Sequence, residues 1–243
     1  MRRALLVVLA LIALALPAST PGAGGITVFA AASLSDVFQK LDRGPTYNFA
    51  GSDQLALQIR QGAPADVYAA ASPKQPGQLY AEGLVLKPHV FATNELVLIV
   101  PRSNPAKLDS VYDLRRNGIK LVIGQTGVPI GDYTRAALKK LGLSSVLTRV
   151  VSEETDVKHI VGKVALGEAD AGFVYRTDVK PAARKLRSIA LPARAQPKVR
   201  YELAVVKATK RRPQANAFVA RVLGQTGRRA LRGAGFGLPP VAR

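Results

Sequence analysis

Short apolar runs and amphipathic stretches alternate along most of this chain, and each predicts one secondary-structure element. Apolar or β-branched runs predict strands at residues 26–30, 46–50, 65–70, 96–100, 120–123, 146–151, 171–174 and 201–206. Helical spacing, with capping residues at the ends, predicts helices at 34–41, 52–61, 75–82, 110–117, 131–141, 157–166, 213–223 and 228–232. This alternation is typical of an α/β fold with mixed, mostly parallel sheets.

Two of these apolar strands, 96–100 and 201–206, flank a middle block that has its own βαβ units. This order predicts a first lobe formed by residues 26–97 and 205–243, interrupted by a second lobe formed by residues 98–204. We expect the two flanking strands to cross between the lobes as a hinge. Clefts at such interfaces are common ligand sites, so a binding cleft is predicted between the lobes.

The first 23 residues have the pattern of a secretory signal peptide. Arg2 and Arg3 precede a thirteen-residue apolar run at 4–16, and small residues follow at 18–23. The run is short for a membrane span, which needs about 20 residues. The sequence therefore predicts export to a periplasm, with an uncleaved membrane anchor as the alternative.

The side-chain inventory excludes several kinds of chemistry. The chain has no cysteine, so disulfides, thiolate metal sites and cysteine nucleophiles are excluded. Its two histidines, His89 and His159, lie far apart in sequence, which disfavours a histidine metal cluster and a Ser-His-Asp triad.

The chain is strongly basic. Its net charge is +19, and it stays at +17 once Arg2 and Arg3 are removed. Seventeen of the Lys and Arg residues lie within 176–243, where the acidic residues are Asp178 and Glu202. This pattern fits either a solvated basic surface or a partner that is nucleic acid, an anionic membrane surface or an anionic ligand. Aromatic residues make up 6% of the chain, too few for a typical base-stacking platform.

Four predicted strand-to-helix junctions and one tyrosine stand out as candidate binding groups. The junctions carry Ser33, Ser52 or Asp53, the N–H groups of Ile130 and Gly131, and the N–H group of Val157, and the tyrosine is Tyr175. The first N–H groups of a helix have no partner inside it and, with the helix dipole, favour an anion. Taken singly, each junction is an ordinary helix cap or turn, and a lone tyrosine at a strand end is more often structural.

These five positions share two properties. All lie just beyond the carboxyl end of a predicted strand, where open α/β sheets bind ligands. All offer neutral donors, and the junction loops hold no Arg or Lys that would neutralise a bound charge. A fully deprotonated oxyanion held by dipoles suits such a site.

Five sequence motifs resemble those of the periplasmic molybdate-binding proteins of ABC transporters. They are ITVFAAASL at 26–34, NFAGSDQL at 48–55, QIRQGAPADV at 58–67, VPIGDY at 128–133 and GEADAGFVYRTD at 167–178. The tail at 227–239 is also similar to the C-terminus of that family. The resemblance therefore covers nearly all of residues 26–240.

The resemblance implies a two-lobed periplasmic-binding-protein fold that closes on molybdate or tungstate and delivers it to a membrane permease. The protein would be a periplasmic monomer that is not an enzyme, has no cofactor and does not bind nucleic acid. Molybdenum would be present only within the bound oxyanion. By residue-to-residue correspondence, the oxyanion would contact the hydroxyls of Ser33, Ser52 and Tyr175 and the backbone N–H groups of Ile130 and Val157.

The chain departs from the family pattern in three places. Asp53 replaces a small hydroxyl residue, and its carboxylate would repel a dianion unless it faces away. Ile130 replaces an alanine and would narrow the site. The segment 37–46 is shorter than usual, which affects the edge of the first lobe.

Three other functions stay open at this stage. Another oxyanion is the closest alternative: sulfate also fits neutral donors, while phosphate keeps a proton and needs an acceptor such as Asp53. A hydrolase using Ser33 or Ser52 is disfavoured because no G-x-S-x-G motif occurs. A basic nucleic-acid or surface-binding protein is the third alternative.

Overall fold

The computed structural model describes residues 25–240. The predicted signal peptide, residues 1–23, lies outside this range. Two five-stranded sheets, each covered by helices, form two lobes, which confirms the predicted two-lobed α/β architecture. Within residues 25–240 no helix has both the length and the apolar character that a membrane crossing requires.

Within residues 25–240, ten strands and eight α-helices make up the two lobes. The strands are β1 (Thr27–Ala31), β2 (Thr46–Ala50), β3 (Val67–Ala70), β4 (His89–Asn94), β5 (Leu96–Pro101), β6 (Leu121–Gly124), β7 (Val150–Glu154), β8 (Ala171–Tyr175), β9 (Leu186–Ala190) and β10 (Val199–Val205). The helices are α1 (Ser35–Leu41), α2 (Ser52–Arg60), α3 (Lys74–Ala81), α4 (Pro129–Lys140), α5 (Val157–Ala165), α6 (Arg176–Val179), α7 (Arg212–Leu223) and α8 (Gln225–Ala234).

The two sheets have the same arrangement of strands. The first has the order β2-β1-β3-β10-β4 and the second β7-β6-β8-β5-β9. In each sheet four strands run in the same direction and one runs against them: β10, between β3 and β4, in the first sheet, and β5, between β8 and β9, in the second. Parallel strands end at one edge of a sheet, so the segments that follow β1 and β2 gather in the first lobe, and those after β6, β7 and β8 gather in the second.

The predicted lobe boundaries at 97/98 and 204/205 are wrong. Strand β5 belongs wholly to the second sheet, and β10 lies in the first sheet, between β3 and β4. The chain therefore crosses between lobes at Glu95 and again within residues 191–198, and neither predicted hinge strand spans both sheets. Strand β10 has a partner strand on each side and is mostly buried, so its sequence is an apolar run. Such a run predicts a buried strand but does not reveal to which sheet the strand belongs.

Other differences concern elements with weak apolar patterns. The strand predicted at 146–151 is a 3-10 helix at Ser144–Arg149 followed by β7, whose sequence VVSEE alternates half-buried and exposed positions and has no fully buried residue. Strands β4 and β9 were not predicted from the sequence. Both are edge strands with several polar or exposed positions, which is how natural sheets protect their edges.

Helix α5 lies directly on β8 because β8 has a glycine at the point of contact. A Cβ atom added to Gly172 would lie 2.6 Å from Ile160 Cγ2 and 3.0 Å from Val122 Cγ1. These contacts set how closely the helix that begins at Val157 approaches the second sheet.

Replacing Gly172 with alanine should therefore destabilise the protein. Overpacking of this kind typically lowers the free energy of unfolding by about 1–3 kcal/mol. Gly162 is the matched control, because it lies in α5, the helix that packs on Gly172, and a Cβ atom added to it would meet open space. Gly162→Ala should therefore stabilise the protein by up to about 1 kcal/mol. Urea denaturation measures both changes, and a Gly172→Ala protein as stable as the parent would contradict this account of the packing.

Candidate functional site

A small cavity between the two lobes brings together all five residues predicted as binding groups. Ser33 and Ser52 line it from the first lobe, and Ile130, Val157 and Tyr175 line it from the second. The cavity has a volume of about 20 Å³. This is room for a compact ion, and far less than an organic ligand site needs.

Ser33 lies in the 3-10 turn that follows β1, and a hydrogen-bond chain orients its hydroxyl. Its Oγ is 2.9 Å from the hydroxyl oxygen of the fully buried Tyr201. The Asn94 side-chain amide in turn donates to the Tyr201 oxygen at 3.4 Å. Because Tyr201 accepts from Asn94, its own hydrogen is free to point at Ser33. Ser33 can then donate its hydrogen into the cavity.

Ser52 is the first residue of α2, directly after β2, and it is almost completely buried. Its Oγ accepts the backbone N–H of Ala71 at 3.1 Å, and its carbonyl accepts the hydroxyl of Tyr68 at 2.6 Å. The Ser52 hydroxyl oxygen is thus already an acceptor inside the protein, and its hydrogen is available to the cavity.

The second lobe presents two helix N-termini to the cavity. Ile130 follows Pro129 in the first turn of α4, and Val157 is the first residue of α5. Asp156 caps α5 by accepting the N–H groups of Lys158 at 2.7 Å and His159 at 3.2 Å. Since N–H groups at these positions have no partner within the helix, those of Ile130 and Val157 remain as donors.

Tyr175, at the end of β8, contributes a hydroxyl that is buried without a hydrogen-bond partner among residues 25–240. Burial raises the pKa of Tyr175 well above its ordinary value, so the group keeps its proton. A buried unpartnered hydroxyl is unfavourable, and such a group in a native protein calls for an explanation. Its position in the cavity wall indicates that its partner is a ligand.

The cavity is lined almost entirely by neutral groups. Within residues 25–240 no Lys, Arg or His contributes to its wall, and the one charged residue there is Asp156. The Asp156 carboxylate is held by two backbone N–H groups and lies 3.1 Å from Nδ1 of His159. The described part of the chain also contains no cluster of three or more acidic, histidine or cysteine side chains suited to a metal ion.

The three departures from the family pattern have structural explanations. Asp53 is absent from the cavity wall, and burial raises the pKa of its carboxyl above the ordinary value. Ile130 packs its side chain over Gly124 of β6, where a Cβ would lie 2.7 Å from Ile130 Cγ2. The short segment 37–46 still leaves β2 paired with β1 along all five residues.

Direct contacts between the lobes surround the cavity. A Cβ on Gly51 would lie 2.4 Å from the Thr155 carbonyl oxygen, so the two backbones touch there. On one side, Lys74 Nζ of α3 lies 3.2 Å from Asp132 Oδ2 of α4. On another side, Lys158 Nζ of α5 lies 2.9 Å from Asp36 Oδ2 of α1. The structure is thus a closed form.

Sequence reasoning missed the residues that orient the binding groups. Tyr201 and Asn94 act through Ser33, and Ala71 acts through Ser52. Tyr201 lies in a predicted strand and Ala71 in an ordinary alanine run, so neither carries a local signal. Their roles depend on strands β10, β4 and β3 meeting in the first sheet.

Two lobes that close on a small cavity of polar donors define this protein as a solute-binding protein. A family model described as bacterial extracellular solute-binding protein matches residues 26–237. The "Molybdate-binding protein ModA" of Mycobacterium tuberculosis is 39% identical over 92% of this chain and 90% of its own length. That of Escherichia coli is 33% identical over 76% of this chain and 78% of its own length. The chain therefore belongs to the bacterial extracellular solute-binding proteins and, among them, to the ModA family.

Solved structures agree on the fold. The periplasmic molybdate-binding protein of Azotobacter vinelandii superimposes with a TM-score of 0.80, at 25% identity, over 88% of this chain and 99% of its own. The sulfate-binding protein SubI of Mycobacterium tuberculosis has a TM-score of 0.75 at 17% identity, over 89% of this chain and 88% of its own. The second likeness shows that the fold is shared and says nothing about the ligand of this chain.

One carboxyl group behind the cavity has a strongly shifted pKa. Burial raises the pKa of Asp178 from 3.8 to about 7, against the opposing effect of Lys158. The folded protein therefore binds a proton between about pH 4 and pH 7 that the unfolded chain has released. The free energy of unfolding should fall as the pH rises through this window and become level above it.

The Asp178→Asn variant tests this assignment. Asparagine does not titrate, so this part of the pH dependence should disappear in the variant. Urea titrations of both proteins at several pH values from 4 to 8.5 measure the effect. Parallel stability curves for the two proteins would mean that Asp178 has no such shifted pKa.

Proposed function

We propose that this protein binds molybdate or tungstate in the cavity between its lobes and delivers it to the permease of an ABC transporter. The observation that carries the proposal is the ring of five neutral donors, including the unpartnered Tyr175 hydroxyl. The 39% identity to a molybdate-binding protein supports this choice of ligand. The role is binding and delivery, with no covalent chemistry.

Neutral donors are sufficient to hold a dianion in a closed cavity. A hydrogen bond to a charged group contributes roughly 1.5–3 kcal/mol, and each helix N-terminus adds about 0.3–1 kcal/mol. Five such donors exceed the entropic cost of immobilising one small ion, so micromolar or tighter binding is expected. Tetrahedral symmetry lets donors approach an oxyanion from both lobes at once.

The donor set also discriminates between oxyanions. Phosphate keeps a proton near neutral pH and would need an acceptor in the wall. Asp53 is not in the wall, and the Asp156 carboxylate is engaged by N–H groups. Sulfate is fully deprotonated and suits the same neutral donors, so only its smaller size distinguishes it from molybdate at this site.

The export of the protein and its transporter partner follow from the same proposal. A binding protein of this family works outside the cytoplasm, which agrees with the predicted signal peptide at residues 1–23. The transporter partner is consistent with a 29% identical relative named "Putative ABC transporter substrate-binding lipoprotein YvgL" of Bacillus subtilis. We propose that the mature protein acts as a monomer, since one chain supplies both walls of the cavity.

Calorimetry tests the ligand directly. Ligand-free mature protein should bind one molybdate or tungstate per chain, and sulfate or phosphate at millimolar concentration should compete weakly. Tighter binding of sulfate than of molybdate would reassign the ligand. Absence of heat with all four anions would contradict the proposal.

Removing the Tyr175 hydroxyl should change the affinity for the anion without lowering the stability of the ligand-free protein. Tyr175→Phe should weaken binding about tenfold to a hundredfold, because one hydrogen bond to a charged group is lost. The ligand-free variant should be at least as stable as the parent, since the hydroxyl has no protein partner. Combination with Ser52→Ala should weaken binding further. Tyr80→Phe, at a half-exposed tyrosine that does not line the cavity, is the control, and equal affinities for all variants would reject the site.

A further inference from the structure

Three charged residues form a cluster at the edge of the cavity without touching its interior. Asp36 lies on α1 in the first lobe, while Lys158 on α5 and Asp178 on α6 lie in the second. The Lys158 ammonium is 2.9 Å from Asp36 Oδ2 and 3.7 Å from Asp178 Oδ1. None of the three lines the cavity, so the cluster has no direct part in holding the anion.

The cluster connects the elements that carry the binding groups. Asp36 is three residues beyond Ser33, at the beginning of α1, and Lys158 directly follows Val157. The Asp36–Lys158 contact therefore fixes the distance between a donor of the first lobe and a donor of the second. If one lobe shifted relative to the other, this contact would break and Ser33 would move away from Val157 at the same time.

Asp178 prepares Lys158 for this contact. Its side chain is 1% exposed, and its Oδ2 accepts the backbone N–H of Tyr175 at 3.3 Å. Its Oδ1 has no hydrogen-bond partner among residues 25–240, which leaves the nearby ammonium as its counter-charge. Because Asp178 and Lys158 belong to the same lobe, this pair does not depend on closure. Lys158 is therefore held in place before Asp36 arrives, which lowers the entropic cost of the contact.

Lys158 also protects the anion from repulsion. Asp36 and Asp178 would otherwise place two carboxylates near a bound dianion. One ammonium shared between them reduces their combined charge to a single negative unit when all three are ionised. Among the described residues, the Lys74–Asp132 pair on the other side has no second carboxylate within salt-bridge distance of its ammonium, and the Lys74 side chain is 56% exposed, against 33% for Lys158.

We propose that Asp36, Lys158 and Asp178 form a closing latch: Asp178 holds Lys158 in place, and Lys158 binds Asp36 when the lobes close on the anion. The three are positioning residues for the binding groups. This inference rests on the proposed function, because the anion is what the closed lobes retain. It assigns the latch to the lifetime of the closed complex and not to the capture of the anion.

Asp36→Asn tests the latch because its partner lies across the cleft. At pH 8, where Asp178 is ionised, the variant should release molybdate about two- to fivefold faster, the range expected for a partly exposed ion pair. The association rate and the ligand-free melting temperature should stay close to those of the parent. Stopped-flow tyrosine fluorescence is a suitable readout, since the chain has seven tyrosines and no tryptophan.

Three further variants separate a latch from a general structural effect. Asp36→Glu should keep release within twofold of the parent. Glu82→Gln removes an exposed ion pair with Arg60 inside the first lobe and should leave release unchanged. In a Lys158→Met background, Asp36→Asn should have no further effect, because the contact is already absent.

The possible failures can be told apart. Parent protein that binds none of the anions would overturn the proposed function and the latch with it. Parent protein that binds molybdate, with Asp36→Asn releasing it at the parental rate, would overturn the latch alone. Equal effects of Asp36→Asn with and without Lys158 would also reject the latch, because the two residues would then act independently.

Discussion

The structure depends on hydrogen-bond donors that the protein itself leaves without partners. Helix N-termini always expose such N–H groups, and most proteins satisfy them with caps or water. Here the first turns of α4 and α5 direct them, with the Tyr175 hydroxyl, into one cavity between the lobes. An anion satisfies all of them together, so the free energy of binding comes from groups that cost stability when the cavity lacks a ligand.

Donors of this kind must also point in the right direction, and the fold achieves this through other donors outside the cavity, which occupy the oxygens of the serine hydroxyls. A serine hydroxyl can donate or accept, and it would be a poor anion ligand if its hydrogen were used elsewhere. Ser52 accepts from the Ala71 backbone, and Ser33 is adjacent to Tyr201, whose oxygen accepts from Asn94. Asn94 ends β4, one residue before the chain crosses to the second lobe. The crossing point and the binding group are thereby joined by one hydrogen-bond chain.

The sequence predicted the local parts of this arrangement better than the long-range parts. Strand-to-helix junctions are local patterns, so Ser33, Ser52, Ile130 and Val157 could be selected from capping and spacing, and all of them line one cavity. The identity of the sheet that contains β10 is a long-range property, which is why the lobe boundary at 204/205 was wrong. Orientation by Tyr201 was likewise inaccessible, because its hydroxyl contacts a residue 168 positions away.

The basic residues of the chain are distributed over the molecule but are absent from the described wall of the cavity. The chain carries 35 Lys and Arg against 16 Asp and Glu, which produces an attractive field for anions over the whole molecule. The cavity wall nevertheless contains no basic side chain among the described residues. A buried ammonium there would have to be desolvated and then separated from the anion on release, which makes release slow. Dipoles fixed in a dry cavity bind strongly while the lobes are closed, and water replaces them readily when the lobes separate. The proposed function, binding an anion and then delivering it, is therefore served by neutral donors at the site and basic residues elsewhere.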